Sequence, residues 1–257
     1  MLRALYAAAT GMEAQEKCLS IIANNLANVN TAAFKSQRAS FEDLFYETYK
    51  KENTIEEPPA PIQIGHGTKL SSTSKSFTQG EVQQTQAPLD LMIKGDGFFK
   101  LTMPDGSEAY TRNGNFKLTG EGDIVDAHGY KLDPEITLPD NTVNIIISQD
   151  GKVSVTTSDD STQQDMGEIT LSKFMNPTGL ESIGENLYKP TVNSGDAIDG
   201  VAGLDGFGSI DQGYLEMANV NVMDQMVQMI LVQRAYELNS KVISTGDQMY
   251  AIANKIR

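Results

Sequence analysis

The two ends of this 257-residue chain carry matching apolar stripes, and a helix with one apolar stripe has to bury it. Near the start, Leu2, Leu5, Ala9, Met12, Glu16, Leu19, Ala23 and Leu26 are spaced 3-4-3-4-3-4-3, a heptad seam with one polar member. Ala8 and Ile22 widen it. Near the end, Leu231, Ala235, Leu238, Val242, Thr245, Met249, Ile252 and Ile256 are spaced 4-3-4-3-4-3-4. Just upstream, Met223, Val227, Leu231 and Ala235 step by fours, the mark of a stutter that locally unwinds a supercoil. No other segment has so strong a helical period, so the two ends are expected to pair as a coiled coil, with 1–40 and 216–257 forming one assembly domain. The alternative is that each helix docks separately on the middle of the chain. A seam this rich in Ala and Met leaves apolar flanks, which calls for helices from other chains. The side chains expected to make assembly contacts are Leu2, Leu5, Met12, Leu19, Leu26, Leu231, Leu238, Val242, Met249 and Ile252.

Between the ends the period changes. "PDGS" at 104–107, "RNGN" at 112–115, "TGEGD" at 119–123 and "QDGK" at 149–152 are hairpin turns in waiting, because Asn, Asp and Gly tolerate positive φ. Among them lie "GFFKLTM", "EAYTRNGNFKL", "NIIIS", "KVSVT" and "EITLSKF", short runs of strand type. Residues 67–215 therefore read as one or more β-rich outer domains, and 41–66, with the Pro-rich "EEPPAPIQIGHG", as an extended connector. The fold class is mixed α and β: paired terminal helices around an all-β central region.

The formal net charge is −14 and unevenly spread. Residues 1–40 hold four basic and two acidic groups, and 220–257 hold four and three; of the chain's 20 basic and 34 acidic groups, 12 and 29 remain for the 179 residues between. The ends are nearly neutral and the middle is acidic, so they are expected to face different surroundings. Nucleic acid is excluded as a partner, since its phosphates demand clustered Lys and Arg. No apolar run approaches the ~18 residues of a membrane-spanning helix, so no membrane insertion is expected. The N-terminal apolar stretch runs into an amphipathic helix instead of a cleavage site, so export without a cleaved signal is expected.

Chemistry is hard to find. His66 and His128 lack Cys or His neighbours at metal-ligand spacing, and the acidic "GEGDIVDAHG" lacks the EF-hand pattern. The glycines of "GDGFF" and "GLDGFGSIDQG" form no phosphate-binding fingerprint, and no nucleophile elbow appears. Cys18, the single cysteine, reads as a small packing residue. No catalytic residue, cofactor or metal site is expected, and the chain does not read as an enzyme.

One stretch stands out for another reason. "ANNLANVNTAAFK" at 23–35 places Asn24, Asn25, Asn28 and Asn30 within seven positions at the end of a strong helix, where asparagine is a mediocre helix former. Asn accepts and donates hydrogen bonds, so the cluster can cap the helix or bridge neighbouring subunits. We expect it to fix the helix end and its contacts within an assembly; capping alone is the simpler alternative.

"NNLANVNTAAFK" also resembles the signature of bacterial flagellar axial proteins, those of the rod and hook. "FEDLFYETY" (41–49), "IKGDGFFKL" (93–101), "AYTRNGNFKL" (109–118), "FMNPTGLESIGENLY" (174–188) and "QGYLEMANVNVMDQMVQMILVQRAYELNSKVI" (212–243) extend the resemblance nearly end to end, and "GLESIGENLY" and "QRAYELNSK" narrow it to subunits of the distal rod. The Glu/Pro-rich 49–65 stretch looks slightly short beside the segment that stiffens such rods. The resemblance implies a structural subunit that polymerises helically into a hollow shaft, passing torque from motor to hook and exported subunits through its channel. It implies a homo-oligomer whose other partners are further rod subunits, the hook protein or hook junction, and surrounding rings, in the periplasmic rod of the basal body. A proximal rod or hook subunit is the alternative within that family. Outside it stands a secreted β-rich binding module whose terminal helices only trimerise it.

Overall fold

A computed structural model describes residues 2–49, 62–139, 141–157 and 163–255, with the side chains of Leu2, Tyr49 and Ile62 outside the description. The chain divides into two compact units: residues 1–27, 37–75 and 221–257 form the first, and 28–36 with 76–220 the second.

The first unit is built on two helices, α1 (Leu2–Ala27) and α2 (Val222–Lys255). Both ends of the chain are helical, as their period predicts. At about 1.5 Å per residue α1 is roughly 39 Å long and α2 roughly 51 Å. Asn221 starts α2 by accepting from the backbone N–H groups of Met223 and Asp224, at 3.0 and 3.4 Å, so two otherwise orphaned donors are satisfied. The helices run antiparallel. Leu5 meets Gly246, Gly11 meets Asn239, and Asn25 meets Gln225. A Cβ on Gly246 would lie 2.6 Å from Leu5 Cδ2, so the missing side chain lets the backbones approach. Gln37–Asp43 pairs antiparallel with Thr68–Lys75, and Tyr46–Tyr49 with Ile62–Gly65. The segment expected as an extended connector is thus a two-stranded ribbon at its described ends, because its flanks alternate in strand fashion and find each other. Its Glu/Pro-rich middle, 50–61, lies outside the described residues.

The second unit is β-rich. Its largest sheet has nine strands, running Glu181–Gly184, Leu187–Lys189, Glu108–Thr111, Phe98–Thr102, Lys131–Asp133, Ile124–Asp126, Phe116–Leu118, with Thr170–Lys173 joining Phe98–Thr102 to Ile198–Val201. Thr142–Ile147, Lys152–Thr157 and Gln163–Glu168 form a separate three-stranded sheet. The strand-like runs of the sequence all appear here, and every pair is antiparallel. Gly151 shows why the turns need glycine: its φ is +87°, and an added Cβ would sit 2.5 Å from the Ile169 carbonyl oxygen. Leu91, Ile93, Phe99, Leu101, Val153, Val155, Leu171 and Ile210 form a closed core. A second, aromatic cluster gathers Phe98, Tyr110, Phe174 and Tyr188.

Candidate functional site

Among the described residues no group of His, Cys, Asp and Glu is arranged to hold a metal, and no helix is long and apolar enough to cross a membrane. What the fold builds instead is a helical surface and two polar staples, one in each unit.

The surface is on α2. Its half-buried positions include Gln225, Met229, Val232, Asn239, Ile243 and Tyr250, with Gly246 fully buried. Val232, Asn239, Ile243, Gly246 and Tyr250 each stand one residue after the seam position expected from sequence, a rotation of about 100° about the helix axis. Leu231 and Leu238 are 63% and 65% exposed, and Val242, Met249 and Ile252 stand open beside them. Met223, Met226, Val227 and Ile230 continue this apolar face toward the start of α2. Ile256 lies outside the described residues. The physical reason for the rotation is close approach: Gly246, Asn239 and Gln225 meet Leu5, Gly11 and Asn25 of α1, and the stripe that holds them is the one α2 turns inward, leaving Leu231 and Leu238 outside. On α1, Leu5, Met12, Leu19 and Leu26 are half-buried, while Ala8, Ala14 and Ile22 are buried.

The first staple is Asn25. It is buried at the end of α1, where its Oδ1 accepts from the Gln37 N–H at 2.9 Å and its Nδ2 donates to the Gln37 carbonyl at 2.8 Å and to Gln225 Oε1 at 3.2 Å. One amide therefore satisfies both backbone groups of the residue that opens the ribbon, and also touches α2. Asn28 Oδ1 accepts from Thr31 Oγ1 at 3.2 Å, closing the turn after the helix. Asn24 and Asn30 are exposed.

The second staple lies wholly within the β-rich unit. Lys35, at 0% exposure, donates from Nζ to Glu216 Oε1 at 2.6 Å and to the Thr78 carbonyl at 2.8 Å. Glu216 Oε1 also accepts the Gly80 N–H at 2.9 Å, and the Glu216 carbonyl accepts the Ala33 N–H at 2.8 Å. Arg112 approaches Glu216 Oε2 with its Nε at 3.4 Å, too misaligned for a hydrogen bond but close enough for charge to count, and its Nη1 is spent on the Gly95 and Gly97 carbonyls at 2.7 and 2.8 Å. Burial pulls the pKa of both cations down; Glu216 opposes it in each case. Asn219 completes the set. Its Oδ1 accepts from the Ser36 N–H at 2.7 Å, and its Nδ2 donates to the Ser76 and Thr78 carbonyls at 2.8 and 3.0 Å. The chain crosses the boundary of this unit at residues 28, 36, 76 and 220, and these bonds tie the last three crossings together.

A fully buried lysine is rare unless it is paired, and none of Lys35, Arg112, Glu216 and Asn219 stood out in the sequence. Lys35 had a signal, a charge closing the otherwise apolar "AAFK". Its partner, 181 residues away, had none.

Residues 5–35 match the family described as "Flagella basal body rod protein", 92–155 the "Flagellar hook protein FlgE/F/G D1 domain", and 211–256 the "Flagellar basal body rod FlgEFG protein C-terminal". The chain is 46% identical to the flagellar basal-body rod protein FlgG of Borreliella burgdorferi, over all of this chain and 99% of that one. It is 45% identical to FlgG of Buchnera aphidicola from Schizaphis graminum, over 97% of each. To FlgG of Caulobacter vibrioides it is 42% identical over the whole of both chains.

Proposed function

Because the chain belongs to the FlgG family of flagellar basal-body rod proteins, we propose that it works as a structural subunit of the distal rod, polymerising helically into a hollow shaft that carries torque from motor to hook. Its task is mechanical: the three relatives named above are each described as a flagellar basal-body rod protein.

The observation that supports polymerisation is the bare apolar face of α2. Burying a side chain such as Leu from full exposure stabilises by about 1.5–3 kcal/mol, so Leu231, Leu238, Val242, Met249 and Ile252, each roughly half exposed, would contribute about 1 kcal/mol apiece. Their sum only rivals the ~4–15 kcal/mol that association costs in lost freedom. One neighbour is therefore too few, and a lattice in which each helix pair touches several copies is the natural solution. Such contacts are heterologous and extend without closing. In this reading α1 and α2 join those of other copies in a multi-chain coiled coil, and the exposed seam residues are inter-subunit contacts. Asn25 holds the end of α1 for that packing, while the Lys35–Glu216 staple gives the β-rich unit fixed points at which load enters.

The same reading places the acidic β-rich unit outward, toward solvent and the surrounding rings, with other rod subunits and the hook or its junction as end-to-end partners. It places the protein in the periplasm, delivered by the flagellar export route without a cleaved signal. Electron microscopy of basal bodies from a strain lacking the gene tests it. A rod that stops short of the hook is expected. Complete rods without hooks would move the subunit to the hook, and normal flagella would overturn the assembly role.

A further inference from the structure

At Arg112 the β-rich unit buries a positive charge that its own carboxylates only half answer, and we infer that the cavity beside this residue binds a carboxylate carried on a small apolar body. The inference goes beyond the rod reading and does not depend on it. Lys35 and Arg112 are 0% and 4% exposed, and the one carboxylate buried within 4 Å of them belongs to Glu216. Glu216 commits Oε1 to Lys35 Nζ and to the Gly80 N–H, which leaves Arg112 only the misaligned Oε2 at 3.4 Å. Two buried cations therefore share one anion, and a buried charge is costly until an opposite one meets it.

The donors of Arg112 are unevenly used. Nη1 donates to the Gly95 and Gly97 carbonyls at 2.7 and 2.8 Å, and Nε is sealed without a hydrogen bond. Nη2 bonds to nothing among the described residues and, unlike Nε, is not sealed. It is the end of the guanidinium left for a cavity of about 170 Å³ that Arg112 lines. Its two N–H groups can donate to a carboxylate, as charge-assisted bonds of the stronger kind.

The rest of the wall says what carries the carboxylate. Phe77, Phe98, Phe174 and Pro177 line the cavity, and Phe77 and Phe174 stand edge-on to Phe98 with centroids 5.5 and 5.7 Å away. An apolar cavity of about 150 Å³ accepts a benzene molecule, so a body the size of one ring fits. The rim is neutral: Lys173 lies 3.5 Å from Asp96 and donates to the Gly206 carbonyl at 3.2 Å, so Arg112 alone sets the sign of the site. A phosphate brings about two charges and no apolar surface, and suits such walls less well. A free organic acid and an acidic side chain of a neighbouring copy share the required chemistry.

Titration of the isotope-labelled full chain, followed by NMR at neutral pH and constant ionic strength, tests the site. Benzoate is the probe, and benzamide, the same ring with a neutral amide, is its control. Saturable shifts of the Gly97, Phe98 and Phe174 amides are expected from benzoate. Benzamide should bind about tenfold more weakly or worse, because the bond to the charged group is lost. Arg112→Lys should weaken benzoate by a similar factor. Arg112 also holds two backbone carbonyls, so if that variant does not fold, Met175 decides, a residue of the cavity wall that is 90% exposed. Met175→Lys should tighten benzoate and Met175→Asp weaken it, each about two- to fivefold, with benzamide unmoved. Shifts that do not saturate, equal affinity for the two probes, or equal affinity of the two Met175 variants overturns the site. The same variants identify the source in cells, and this arm alone rests on the rod reading. Poorer entry into basal bodies by Met175→Asp than by Met175→Lys assigns the carboxylate to a neighbouring copy, and equal entry assigns it to a free acid. Absence of the unsubstituted chain from basal bodies overturns the rod reading and leaves the titration to judge the site.

Discussion

The two units of this chain treat their apolar residues in opposite ways. In the β-rich unit, Ile93, Phe99, Leu101, Val153 and Leu171 are sealed from solvent, and strands from across the sequence close over them. In the helical unit α2 has a single fully buried residue, a glycine, while Leu231, Leu238, Val242, Met249 and Ile252 look outward. The first has the burial of a domain that is complete as one copy. The second has the surface of something unfinished. What an isolated copy leaves bare is the best guide to what its neighbours must cover.

That contrast can be broken by substitutions whose expected effects on folding fall in order. Lys35→Ala should be the most damaging: it leaves the buried Glu216 with a misaligned Arg112 as its only nearby cation and the Gly80 N–H as its hydrogen-bond donor, and breaking such a pair costs about 3–5 kcal/mol. A lowered urea midpoint for the β-rich unit checks it, and an unchanged midpoint would mean the staple is ornamental. Asn25→Ala comes next, at about 1–3 kcal/mol, because it strands the Gln37 N–H and carbonyl near a helix end. Hydrogen exchange should show the Gln37 amide losing protection while the amides of Phe98–Thr102 keep theirs.

Acid should act more weakly and on the β-rich unit. Lys100 holds the Glu108 carboxyl below its usual pKa by a 2.8 Å contact, and Lys131 does the same for Asp123 at the same distance. A depressed carboxylate contributes stability that is present above its unfolded pKa and lost as pH falls through the folded one. Melting temperature should therefore drop as pH is lowered below the usual carboxylate range, about pH 4. The Glu108 share should be under about 1 kcal/mol, since such partly exposed pairs are well screened, and Lys100→Met should flatten that part of the slope. Leu231→Glu with Leu238→Glu should disturb folding least, by no more than about 0.5 kcal/mol, because both side chains already face water. The same pair should abolish incorporation into rods, read by motility and by its absence from basal bodies. If it destabilised the monomer instead, the bare face would be a packed one and the contrast between the units would fail.

How much of this was readable beforehand differs by feature. The helices at both ends and the strands of the middle follow from local periods, which 257 residues display openly. The Asn cluster was visible, but its members' separate fates were not. Asn25 is a buried staple and Asn24 is exposed, although the two are adjacent, because one step along a helix turns a side chain by about 100°. The same step explains α2. Its sequence shows a heptad seam at Leu231, Leu238 and Val242, and the structure packs the next residue along, Val232, Asn239 and Ile243, toward α1.

The sequence by itself determined which segments are helical, which are strand, where hairpins turn, and that apolar helical surface exceeds what two helices can cover, since all of these depend on neighbours within a few residues. Only the tertiary structure decided which stripe of α2 faces its partner helix, and that Lys35 would meet Glu216. Those outcomes depend on how closely two backbones approach and on which charges meet when distant segments are buried together. A linear pattern holds neither.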